Sequence, residues 1–108
     1  MFKKLPFEQN NLTELSTAEV EAAKQQFGDI FQLTVENKTC FIHKPTRQII
    51  DLAISSSAKR SSLFEETILR NCWLAGNKEM IEDDEYFFAV GKQLDEIIKF
   101  KSAELKKL

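Results

Sequence analysis

The side chains best suited to chemistry are few: one histidine, His43, two cysteines, Cys40 and Cys72, and an acidic run, Glu82-Asp83-Asp84-Glu85. Cys40 and His43 stand three apart in a stretch that reads as a strand, where odd spacing sends side chains to opposite faces, so they do not form a thiolate–imidazole pair. Cys72 would have to reach His43 from another element, and no spacing requires it. No Cys, Asp or Glu stands at metal-ligand spacing from His43, which reads as a surface or hydrogen-bonded histidine. The acidic run invites calcium, yet an EF-hand needs alternating oxygen ligands around a central glycine, and Asn77-Lys78-Glu79-Met80-Ile81 does not supply them. At the start of a helix the same run meets exposed amides and the positive end of the dipole, which is a capping role. The three glycines are scattered and none precedes a Lys-Ser or Lys-Thr pair, so no phosphate loop exists. These residues predict a protein that is not an enzyme, with no cofactor, no metal and no small-molecule substrate.

Composition points the same way. Fifteen Lys plus Arg against seventeen Asp plus Glu leave a net charge of -2, which removes the electrostatic attraction most nucleic-acid binders rely on. The apolar runs are short against the roughly 20 residues a membrane helix needs, so no membrane association is expected. Met1-Phe2-Lys3-Lys4 begins like a signal peptide, but Pro6, Glu8, Gln9, Asn10 and Asn11 occupy the place of its apolar segment. Two cysteines without C-x-x-C spacing suit reduced, buried thiols, and the expected compartment is the cytoplasm.

The elements that must position these residues follow from periodicity and capping. Residues 1–15 have no regular period and read as an arm; residues 16–108 read as a single α+β domain in the order α-β-β-α-α-α, the last helix long. Ser16-Thr17-Ala18-Glu19 forms a capping box for a helix over about 17–27, stopped by Gly28. Around Glu36-Asn37-Lys38 two β-branched and aromatic runs form a hairpin, with Asn37 suited to a positive φ. Pro45 is placed in the first turn of the next helix, whose buried stripe is Ile49, Ile50, Ala53 and Ile54. A second capping box at Ser62 opens a helix over 62–74, with Gly76 as its terminator and Trp73 anchoring the following loop, its indole N–H seeking a carbonyl. The final helix carries Phe87, Val90, Leu94, Ile97, Ile98 and Leu105 on one face over more than twenty residues. Arg47 is placed to pair with the 82–85 acids.

Nine of eleven aromatics are Phe. Phe27, Phe31, Phe41, Phe64 and Phe87 fall on faces a small core should bury. Phe2 and Phe7 on the arm, with Phe88 and Phe100 off the main helical stripe, form a surplus assigned to binding a partner protein or a second copy. The helices on either side of residues 55–62 also fit a helix-turn-helix regulator, against which Glu65 and Glu66 stand where phosphates would approach.

Three stretches stand out within residues 39–105: Phe41-Ile42-His43-Lys44-Pro45-Thr46-Arg47, Leu69-Arg70-Asn71-Cys72-Trp73-Leu74-Ala75-Gly76 and Glu82-Asp83-Asp84-Glu85-Tyr86-Phe87-Phe88. Together they resemble the tail assembly chaperones of bacteriophages and prophages. The resemblance implies a non-enzymatic, often oligomeric protein that binds tape-measure or tail-tube protein during virion assembly. Pro45, Arg47, Trp73 and Gly76 are its expected structural anchors.

Overall fold

A computed structural model describes residues 2–98 and 105–108. Its elements are α1 (Thr17–Phe27), β1 (Ile30–Val35), β2 (Lys38–His43), α2 (Arg47–Ser57), α3 (Leu63–Cys72), β3 (Trp73–Gly76), a single turn α4 (Glu79–Glu82) and α5 (Asp84–Ile97). The protein is α+β, as the sequence predicts. Antiparallel pairing in the order β1-β2-β3 makes one three-stranded sheet.

Strand alternation divides the core in two. Leu33 and Cys40, paired across β1 and β2, and Ile42 opposite Phe31 face a large cluster with Ala53, Ile68, Leu69, Val90 and Leu94 of the helices. On the opposite face Phe41 and Ile30 meet α1, where Ala23, Phe2 and Leu74 form a smaller cluster. Among the described residues no helix is long and apolar enough to cross a membrane.

The local signals behave unequally. Ser16 closes a full capping box with Glu19. Gly28 ends α1 at φ 87°, a region that favours glycine. Asp83 caps α5, its carboxylate accepting from the Glu85 and Tyr86 amides.

Elsewhere the structure corrects the reading. Positive φ in the hairpin falls on Glu36, at 54°, and not on Asn37. Pro45 stands ahead of the helix; Thr46 is the cap, its hydroxyl accepting from Ile49 N, so the pyrrolidine only directs the chain into the cap. Ile54 is 56% exposed because the buried side of α2 narrows to Ala53, flanked by half-buried Ile49 and Ile50. Ser62 makes no cap bond because its own backbone is already helical, and its hydroxyl instead accepts from Arg60 Nε. Gly76 does not stop α3, which ends at Cys72; residues 73–76 turn into β3 because β2 offers an edge for them to pair with. Leu105 is fully exposed and outside any helix, so it does not belong to the buried face that Phe87, Val90 and Leu94 form on α5.

Candidate protein interface

The four phenylalanines assigned to a partner do not share a surface. Phe2 and Phe7 are buried at 7% and 4% exposure, so neither is available to a partner. The physical reason is the arm's docking. Phe7 sits in a short 3-10 turn, packs edge-to-face on Trp73 with ring centroids 5.1 Å apart, and lies under the cations of Arg70 and Lys78 at 4.7 and 5.3 Å. Arg70 is itself held by Glu8 and Glu66, each at 3.2 Å. Phe100 lies outside the described residues.

Phe88 is the exception, exposed at 62% on α5. Adjacent Phe87 is buried, its ring centroid 5.7 Å from that of Phe88, so one aromatic anchors the helix while its neighbour projects outward. Phe88 borders a groove of about 280 Å³ between α5 and the start of α3, lined also by Ser62, Glu65, Gly91, Lys92 and Asp95. Gly91 keeps the floor open: a Cβ there would reach ordinary contact, 3.6 Å from Glu65 Cγ, without a clash. The groove offers an apolar rim, one cation and two carboxylates, the make-up of a protein-contact surface.

The anchor residues divide similarly. Trp73 is fully buried as the first residue of β3, but its indole N–H has no hydrogen-bond partner, so shape and the Phe7 contact hold it, not the expected carbonyl. Gly76 is required by a close approach: at φ 143° a Cβ would lie 2.5 Å from Cys40 Cα and 2.7 Å from Thr39 O. Arg47 is exposed and, among the described residues, makes no ion pair with the 82–85 acids, which are exposed as well, so water solvates both sides.

A polar cluster that sequence reasoning missed lies under the arm. Lys4 Nζ contacts His43 Nε2 at 2.8 Å and also donates to Asn71 O. An ammonium only donates, so Nε2 must accept, and the ring proton sits on Nδ1, which donates to Lys44 O at 2.9 Å. His43 is 3% exposed and stacked on Phe27 at 4.5 Å. Burial, with the Lys4 charge adding to it, holds its pKa below 6.5. Burial also lowers the Lys4 pKa and pushes both thiols, Cys40 and Cys72, up to about 12. They are packed and protonated at neutral pH. Lys4 and His43 are 39 residues apart, and no local pattern links them.

Among the described residues no group of three or more His, Cys, Asp or Glu could hold a metal ion. Comparison of the chain with protein-family models, curated proteins and solved structures returned no match.

Proposed function

We propose that this chain is a non-enzymatic assembly protein that binds another protein through the Phe88 groove, acting in the cytoplasm of a bacterial host as a phage tail assembly chaperone. Its partner in this reading is a tape-measure or tail-tube protein. The observation that carries the binding role is Phe88 itself, a large aromatic left 62% exposed beside a groove while the two arm phenylalanines are buried. The likeness of the three stretches within residues 39–105 to tail assembly chaperones supplies the partner class.

The test is co-expression with a phage tape-measure protein and with a tail-tube protein, followed by co-purification. The wild-type chain retains one of them, and Phe88→Asp loses it with unchanged melting, since an exposed side chain leaves the core intact. Retention on duplex DNA that weakens with salt would replace this reading with that of a helix-turn-helix regulator.

A further inference from the structure

Among the described residues strand β1 is an outer edge of the sheet, paired only with β2. In a two-residue hairpin closed by Val35 and Lys38, alternate residues turn their backbone groups away from β2: those of Ile30, Gln32 and Thr34. Gln93 Nε2 reaching Thr34 O from outside, at 2.9 Å, agrees with that phase. The strand reads Ile-Phe-Gln-Leu-Thr-Val, with no charge, proline or glycine and an unbroken register to β2. Three of the devices that blunt an edge, a charge, a proline and a bulge, are absent from its own residues.

Beside this edge, α5 walls two grooves. One, of about 570 Å³, has Phe31, Leu33 and Ile97 among its lining; the other, of about 230 Å³, lies by Val35 and Tyr86 toward the hairpin turn. Among the described residues every charged side chain lining them is acidic: Glu96 in the first, Glu36 and Glu85 in the second. Since Tyr86 bonds Glu36 and Gln93 bonds Thr34, α5 runs alongside β1 and Glu96 falls toward its Ile30 end. Carboxylates therefore stand at both ends of an apolar slot.

We propose that the β1 edge takes up an extended peptide segment with Lys or Arg at its two ends and apolar residues between, adding it as a fourth strand. Backbone groups of Ile30 and Gln32 supply the ladder, Phe31, Leu33 and Ile97 receive the apolar side chains, and the carboxylates receive the cations. A second copy fits less well: antiparallel pairing of two β1 strands about Gln32 sets Val35 of one opposite Asp29 of the other and Glu36 opposite Gly28, so it brings no cation to the carboxylates. The site lies on a different face of α5 from Phe88, so it stands or falls independently of the Phe88 reading.

The test uses the full chain with a blocked heptapeptide, Lys-Thr-Val-Thr-Val-Thr-Lys, whose lysines and valines share one face, and its counterpart with Glu at both ends, followed by amide hydrogen exchange and chemical shifts. The lysine peptide protects the Ile30 and Gln32 amides, and the glutamate peptide binds at least about tenfold more weakly. Gln32→Pro removes an outward N–H at an edge position and abolishes binding, while Phe88→Asp retains it. Combined Glu36→Lys, Glu85→Lys and Glu96→Lys leaves the backbone edge intact and reverses the preference between the peptides. No protection of β1 amides at millimolar peptide, or equal binding of both peptides, overturns the proposal. Protection that rises with protein concentration alone overturns it in favour of a second copy.

Discussion

The two edges of one small sheet are treated in opposite ways. At β3 the arm lies alongside: Gly76 N donates to Leu12 O at 2.8 Å, and Asn10 Nδ2 donates to Leu74 O at 2.9 Å while its Oδ1 accepts from Leu12 N. At β1, among the described residues, only the Gln93 amide touches the outward backbone. The cause lies in burial. All four residues of β3 are buried, so water cannot satisfy its outward groups and protein must, which is why a buried asparagine is worth its desolvation. On β1, Gln32 and Thr34 are exposed, and water serves until a strand arrives. The side chains of a strand thus decide who completes its backbone.

The largest way to break the sealed edge is Gly76→Ala. The new methyl would press on Cys40 and Thr39 backbone atoms from a strained φ, and a loss of about 3 kcal/mol or more is expected in denaturant unfolding. A loss under about 1 kcal/mol would show that β2 and β3 separate easily. Next comes Asn10→Ala, which strands the Leu74 carbonyl and the Leu12 amide. It should cost about 1–3 kcal/mol and speed amide exchange at Gly76, leaving β1 amides unchanged.

Acid offers a third route, through the latch under the arm. His43 is held neutral in the folded chain, its pKa below 6.5, so its contribution is fully present above that value and is lost as pH falls through the lower folded pKa. Stability of the wild-type chain should fall more steeply on acidification than that of His43→Gln, and parallel curves would remove His43 from the account. Lys4, also lowered, acts over an alkaline window: its buried charge is a constant cost near neutrality, relieved as pH climbs through its folded pKa toward 10.5. The smallest effect belongs to the bare edge, where Gln32→Lys should change stability by less than about 0.5 kcal/mol in the same unfolding measurement.

Most of what could be read from sequence closes within a few residues, although the Ser62 box, equally local, does not form. The Ser16–Glu19 box, the hairpin and the Asp83 cap each depend on neighbours in the chain, and each stands. The third strand was illegible because Trp73-Leu74-Ala75 continues the apolar pattern of α3, and a short apolar run fits helix or strand equally. Only β2 on one side and the arm on the other decide it. The same gap explains the phenylalanines. Phe7 looked surplus because its partners, Arg70, Trp73 and Lys78, are more than sixty positions away, and no period connects them. Phe88 could be placed from the helical wheel alone, because its exposure follows from its position off the buried stripe of its own helix.

The seal on β3 also sets an order of events. Asn10 and Leu74 are 64 residues apart, so the arm has no edge to dock on until the whole stretch through β3 has been synthesised and paired. The segment that leaves the ribosome earlier is fixed later, and in the interval Trp73 and the outer backbone of β3 stand uncovered. That interval is when this chain is most open to mispairing, and its length is set by translation and loop closure more than by the strength of any contact in the finished fold.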